Sequence, residues 1–336
     1  MEASMAALSA YQISRFFTRN APVTQEQCNE EAIRLTGAAS AIPTPVQGGG
    51  SYTVVAGDSV VQFRDSDSAL DIRLLRCVEE AYAGFVPHHL HAGEVGNLHV
   101  YMMNNIGGVS MYLARNALHR DEFHLLRRTL EDYARFFASA WHNTPKGTPT
   151  PSRTVLFNDY LSQLTQLSAA FPARFRPTLD HLISRLPSLF AEDWPMVPNH
   201  KDLLENNIHV DPNTGRLTGI CDWKDADVSP FGISLAGLET MLGTNRVKEA
   251  WCYHDNHQAL REVFWDAFYE AVGSGMNKPD ERIEVARLVG LFLGNGWKYN
   301  DEGEKVPAWE GSYDLAYLDA VVLGNSAADL DIKLSF

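Results

Sequence analysis

The sequence predicts an α+β fold in two unequal parts: a small β-rich N-terminal unit, 1–108, and a larger, mainly helical unit, 109–336. Three observations carry this. Residues 51–65, SYTVVAGDSVVQFRD, hold two β-branched runs, 53–55 and 59–63, around Gly57-Asp58, which is a hairpin pattern. Residues 121–142 place Phe123, Leu126, Leu130, Tyr133, Phe137 and Ala140 at three- and four-residue spacing, the stripe of an amphipathic helix. The texture turns from strand-like to helical near residue 110. A chain of 336 residues, 45% of them hydrophobic, is long enough for two such units and can bury a sizeable core.

Taken in order, residues 1–40 read as helical. GAASAIPTPVQGGG, 37–50, is a breaker-rich entry to the hairpin. Residues 68–83 form a helix with Leu70, Leu74, Cys77 and Val78 on one face, and Pro87 ends that region. LHVYMMNN, 98–105, is an apolar strand broken by Ile106-Gly107-Gly108. Helices follow at 121–142, 154–169 and 176–190, with Pro172 between the last two. Two short β runs, NIHVD and LTGICDW, flank the turn cluster 211–215. From 233 the chain is mostly helical, with segments near 256–272 and 281–294. No internal repeat is present.

Composition narrows the function classes. A net charge of -14 repels phosphate backbones and anionic membranes, so no nucleic-acid or membrane partner is expected. No stretch approaches the roughly 18–20 apolar residues of a membrane span, and the N-terminal segment lacks the pattern of a leader. Cys28, Cys77, Cys221 and Cys252 are far apart and form no CxxC pair, which points away from disulfides and zinc and toward a cytoplasmic location.

The chemistry concentrates in NHKDLLENNIHVDP, 199–212, which is too polar for a buried element. A hairpin formed by the two short β runs brings its ends together. Asn207 and Asp222 then lie close, with Asp202 on the loop upstream. Converging hard oxygen donors suit Mg²⁺, which binds through one or two carboxylates plus substrate phosphates. A further carboxylate can orient a hydroxyl and take its proton.

His200-x-Asp202-x-x-x-x-Asn207, followed by Ile-Cys-Asp222-Trp223, resembles the catalytic core of the aminoglycoside phosphotransferase and choline kinase-like family, most of all its divergent fungal members. PFGISLAGLE, 230–239, fits the same branch. The resemblance implies a bilobal protein-kinase-like fold and an ATP- (or GTP-) and Mg²⁺-dependent phosphotransferase acting on a hydroxyl-bearing small molecule. By position, Asp202 becomes the catalytic base, and Asn207 and Asp222 become the metal ligands. Gly48, Gly49, Gly50 and Ser51 fall where the nucleotide-covering turn belongs, since glycine lets backbone N–H groups approach phosphate oxygens. Met102 to Asn105 fall at the hinge, with Met103 and Asn105 as adenine contacts. VVQFR falls on the strand that usually carries a phosphate-binding lysine. That lysine is absent, and Gln62 or Arg64, on one strand face, stands in. Asp71 is the candidate acidic partner of that position.

Two further departures are Lys201, where the family has glycine, and Lys224 after Asp222-Trp223. They favour an alternative: a kinase fold repurposed for a non-phosphorylating enzyme or a metabolite- or nucleotide-binding pseudokinase. A protein kinase is disfavoured, because no DFG–APE segment is present. His200 reads as structural, bonding the loop backbone. His88, His89 and His91 read as a solvated loop, and DEGE, 301–304, as another. GISLAG lacks the spacing of a serine nucleophile elbow. The acidic balance suits a cationic acceptor such as an aminoglycoside or amino alcohol. Trp297, Trp309 and Tyr313 either line the acceptor pocket or pack the C-terminal helices.

Overall fold

The computed structural model describes residues 2–145, 151–246 and 250–324. Two helices come first, α1 (Glu2–Arg19) and α2 (Gln25–Thr36). A reciprocal capping box fixes the start of α2, with Thr24 Oγ1 accepting the Gln27 N–H and the Gln27 side chain accepting the Thr24 N–H. Gly37 ends it at φ 70°, where a side chain would be strained.

A five-stranded antiparallel sheet follows, in the order β1-β2-β3-β5-β4. Its strands are β1 (Ile42–Pro43), β2 (Ser51–Ala56), β3 (Ser59–Arg64), β4 (His89–Val95) and β5 (Leu98–Asn104). Helix α3 (Ile72–Ala81) lies between β3 and β4 in the chain. The expected hairpin is β2–β3, and β5 is the expected apolar strand. The buried residues of α3 are Leu75, Cys77, Val78 and Ala81; Leu74, read as core, is only half-buried. Of the three histidines read as a solvated loop, His88 lies just before β4 and is exposed, His91 lies in the strand and is exposed, and His89 starts the strand. His89 is buried, because Glu79 of α3 accepts both its backbone N–H (2.7 Å) and a ring contact (3.2 Å).

The larger part begins with β6 (Val109–Ser110), α4 (Met111–Leu118), α5 (His124–His142), α6 (Arg153–Ala170) and α7 (Arg176–Arg185). Phe123 sits just outside α5 in the left-handed region, so the helix starts three residues later than its apolar stripe suggested. Next come β7 (Met196–Asn199), β8 (Ile208–Val210), β9 (Leu217–Ile220) and β10 (Asp227–Pro230). A 3₁₀ segment (Ile233–Met241) precedes the hairpin β11 (Gly243–Arg246) and β12 (Ala250–Tyr253). Helices α8 (His257–Val272) and α9 (Glu281–Asn295), a second hairpin of β13 (Trp297–Tyr299) and β14 (Lys305–Pro307), and α10 (Tyr313–Leu318) complete it.

Two apolar cores result. The smaller joins Phe16 and Cys28 of the first helices to Tyr52, Val54, Phe63 and Val100 of the sheet. The larger is built on α5 packed against α8, with α9 packed on the 3₁₀ segment, and it includes Tyr133, Phe136, Phe264 and Phe292. Helix α3 turns Leu75, Val78, Ala81 and Tyr82 into this larger core. The Tyr82 ring stacks 4.4 Å from Phe136 and its hydroxyl donates to the Pro198 carbonyl at 2.7 Å. The buried face of α3 is thus shared with the strand that leads into the polar loop 199–207. Among the described residues, no helix is long and apolar enough to cross a membrane.

Candidate active site

Strands β8 and β9 pair as expected, with Ile208 opposite Ile220. The Cys221 N–H continues the ladder to the Asn207 carbonyl at 2.9 Å, which sets Asn207 beside Asp222. The Asn207 Nδ2 reaches back to Asp202, donating to its carbonyl at 2.8 Å and lying 3.1 Å from its Oδ2. Loop and hairpin are joined by His200. Its Nε2 donates to the Cys221 carbonyl at 2.8 Å and its Nδ1 accepts the Asp202 N–H at 3.0 Å. The ring packs edge-on against Trp223, 4.7 Å away. Burial holds its pKa below the usual histidine value. The structural reading of His200 therefore agrees with its geometry. Asp222 itself sits at φ 59°, a left-handed conformation that aspartate adopts more readily than most side chains.

The sheet provides the opposite wall. Gln62 and Arg64 share one face of β3, and both are used. Arg64 is buried, with a side chain 5% exposed. Its Nε donates to Gln62 Oε1 at 2.6 Å, its Nη1 to the Ser68 carbonyl at 3.2 Å, and its Nη2 to Asp222 Oδ1 at 3.1 Å. Gln62 Nε2 donates to Thr53 Oγ1 at 3.0 Å and lies 3.4 Å from Ser51 Oγ. Arg64, oriented by its own strand neighbour, thus reaches from β3 to Asp222.

Asp71 does not take part. It caps α3, its carboxylate accepting the N–H groups of Arg73 and Leu74 at 2.9 and 3.1 Å. An aspartate just before a helix is drawn to those orphan donors. Gly48, Gly49 and Gly50 form the turn into β2. Met103 lies inside β5, in register with Val60 on one side and His89 on the other. Asn105 is just past the strand, its N–H donating to the Asp58 carbonyl at 2.9 Å. Ser68, and Asp65 beside it, were not singled out in the sequence. Asp65-x-x-Ser68 has the pattern of a turn cap, and Asp65 Oδ1 accepts the Ser68 N–H at 3.0 Å.

On the far side of Asp202 opens a cleft of about 950 Å³ between the loop, α4, α6, the 3₁₀ segment and α9. Its charges are largely paired. Arg115 forks onto Glu205, and Lys201 Nζ lies 2.8 Å from Asp227 Oδ2. Lys305 donates to Gln163 Oε1 at 3.2 Å and lies 4.8 Å above the Trp297 ring. Tyr313 lines the cleft. Trp309 is half-exposed and 5.6 Å from Lys298 Nζ. Lys224 lies 3.6 Å from Asp225.

A sheet with a glycine turn above a helical part, and an aspartate, an asparagine and a second aspartate at the junction, define a protein of the kinase-like class. The chain belongs to the phosphotransferase enzyme family, whose profile it matches over residues 72–264. No curated protein matches it by sequence. Among solved structures it is similar to a Ralstonia eutropha JMP134 protein provisionally classed as an aminoglycoside phosphotransferase. That pair has a TM-score of 0.51 at 13% identity, over 79% of this chain and 85% of that one. A choline/ethanolamine kinase family protein from Mesorhizobium loti gives a TM-score of 0.48 at 17% identity, over 78% and 80%. An aminoglycoside phosphotransferase from Streptomyces rimosus, in complex with ADP and streptomycin, gives 0.45 at 15%, over 77% and 95%. At 13% identity the likeness to the Ralstonia eutropha protein speaks for the fold alone.

Proposed function

We propose that the chain transfers the γ-phosphoryl group of ATP, taken as its Mg²⁺ complex, to a hydroxyl of a small molecule. The observation that carries this is the convergence of Asp202, Asn207 and Asp222, with Asp202 lining a large cleft and Arg64 reaching Asp222 from the sheet. The Asn207 carboxamide oxygen and the Asp222 carboxylate are hard donors that fit Mg²⁺. The bound ion would neutralise charge on the phosphate oxygens during transfer.

Asp202 orients the acceptor hydroxyl and takes its proton as the hydroxyl oxygen bonds to the γ-phosphorus and the bridge to ADP breaks. Asn207 Nδ2 holds the Asp202 carboxylate for that task. Arg64, with Gln62 fixing its plane, offers a forked cation to the phosphates. Gly48–Gly50 and Ser51 cover them, and the chain near Met103 and Asn105 borders the adenine. The acceptor sits in the cleft beyond Asp202. Because Glu205 and Asp227 are already paired there, a neutral or singly charged acceptor suits it better than a polycation. The thiols of Cys28, Cys77 and Cys221 and ATP use agree with a cytoplasmic setting.

The Arg64–Asp222 bond also favours a second reading, a non-phosphorylating nucleotide or metabolite binder, because a metal-binding carboxylate already holds a cation. Calorimetry separates the two. MgATP should bind the wild type and should bind Asp222→Asn about tenfold or more weakly, the loss of a charged ligand. An acceptor screen with Asp202→Asn as blank follows. Binding without transfer to any acceptor would support the second reading. No binding of ATP or GTP, with or without Mg²⁺, would sink the kinase reading.

A further inference from the structure

We propose that helix α1 is a working part of the nucleotide site: through Arg19 it fixes the Gly48–Gly50 turn, and through Asp65 and Ser68 it steadies Arg64. This rests on the nucleotide reading above. The residues concerned lie outside the segment that matches the family profile, 72–264.

Helix α1 is docked on the sheet by its aromatic residues. Phe16 is fully buried, and Phe17 meets the Tyr52 ring edge-on at 5.0 Å. So anchored, α1 runs its polar side along the turn. Ser9 Oγ donates to the Pro45 carbonyl at 2.8 Å and lies 3.3 Å from the Gln47 N–H nitrogen. A Cβ on Gly49 would sit 3.4 Å from Gln12 Oε1. The Arg19 guanidinium donates to the Gly49 carbonyl and lies 3.8 Å from Asp65 Oδ2.

Ser68 holds the turn from the other side. Its Oγ lies 2.5 Å from both the Gly50 carbonyl and Asp65 Oδ1. A Cβ on Gly50 would come within 3.2 Å of Ser68 Cβ, so glycine permits this approach. The Ser68 carbonyl in turn accepts from Arg64. The contacts are continuous: Arg19 to Asp65, Asp65 to Ser68, Ser68 to Arg64.

The consequence follows from peptide geometry. In a trans peptide the carbonyl points opposite to the next residue's N–H. Holding the Gly49 and Gly50 carbonyls therefore fixes the directions of the Gly50 and Ser51 N–H groups. Amide donors stabilise a phosphate well only when they are set before it arrives. Arg19 is a positioning residue here; it acts through the turn.

The test uses the full chain with Arg19→Ala and Arg19→Lys. Arg19 is well exposed, so both variants should fold. Three readouts are compared: MgATP affinity, adenosine affinity and amide exchange of residues 45–51. Losing a charge-assisted hydrogen bond should weaken MgATP binding about tenfold. Adenosine, which carries no phosphate, should bind Arg19→Ala as it binds wild type. Exchange across 45–51 should rise, and Arg19→Lys should recover most of both effects. Unchanged MgATP affinity overturns the proposal, as does unchanged loop exchange. Equal loss for adenosine and MgATP overturns it too, because α1 would then only support the sheet. If the wild type binds no MgATP, the kinase reading fails by itself, and loop exchange alone judges the brace.

Discussion

His200 bonds through both ring nitrogens, accepting from Asp202 and donating to Cys221. Only the neutral ring with its proton on Nε2 satisfies both. A second histidine, the half-buried His119, is held at about 4, by burial first and then by the charges of His254 and Arg115. In the unfolded chain both return to about 6.5. Below that value the unfolded chain binds more protons than the folded one, so stability is full above it and declines as the pH falls toward 4. The urea midpoint should therefore be lower at pH 5 than at pH 7.5, and His119→Gln should shrink the difference; a midpoint equal at both pH values would refute it. At this scale the closeness of the three candidate residues was legible. Asp202, Asn207 and Asp222 are joined by one loop and one hairpin, so spacing alone brings them near each other. The reach of Arg19 and Ser68 to the glycine turn was not legible, because the Gly49 and Gly50 carbonyls are distant in sequence and leave no mark on side-chain pattern. Asp71 was misread because helix capping and ion pairing call for the same residue type.

Among the elements, long helices declared themselves by period, whereas short strands did not. β4 opens with His89-Leu-His91 and alternates poorly, since its burial comes from a bond to Glu79 rather than from apolar side chains. β7, β10 and the two later hairpins are three or four residues each, too short for any periodicity to register. Glycines within α9 give a sharper reading. Gly290 and Gly294 lie one turn apart on one face, and both border the cleft. A Cβ on Gly290 would fall 2.1 Å from the Ile233 carbonyl oxygen, so close packing explains that glycine. A Cβ on Gly294 would meet nothing within 4 Å. Glycine in a helix costs up to about 0.5–1 kcal/mol against alanine, less in the last turn of α9 where Gly294 lies, and only the cleft gains from it there. Gly294→Ala should raise the melting temperature, while Gly290→Ala should lower it, the fold losing the ~1–3 kcal/mol of an overpacked contact. Gly294→Phe should block acceptor binding and spare MgATP. Calorimetric scans of the alanine pair check the first claim, and a destabilised Gly294→Ala would refute it.

Across the whole molecule, the two cores differ in extent, and the site lies where they meet. Arg64 belongs to the sheet around the smaller core, and Asp222 follows a strand of the larger one. Helix α3 spans both, burying Leu75 and Tyr82 in the larger core while Glu79 grips His89 of the sheet. Burial opposes the charge on Glu79, but the bonds from His89 and His88 prevail and hold its pKa near 2. A smaller apolar core opens at lower free energy, so the sheet should yield first. The sequence offers a convenient separation of signals. All seven tryptophans, from Trp141 to Trp309, lie in the larger part, so their emission reports that core alone. Amide exchange across β2 and β3 reports the other. In rising urea, protection of residues 51–64 should be lost before tryptophan emission shifts. A nucleotide that spans Arg64 and Asp222 stabilises only the closed arrangement. MgATP at a hundred times its dissociation constant should therefore raise the first transition by about 2.7 kcal/mol and draw it toward the second. If the two signals change together without ligand, the cores form one cooperative unit, and the junction between them is not the weak seam of the molecule.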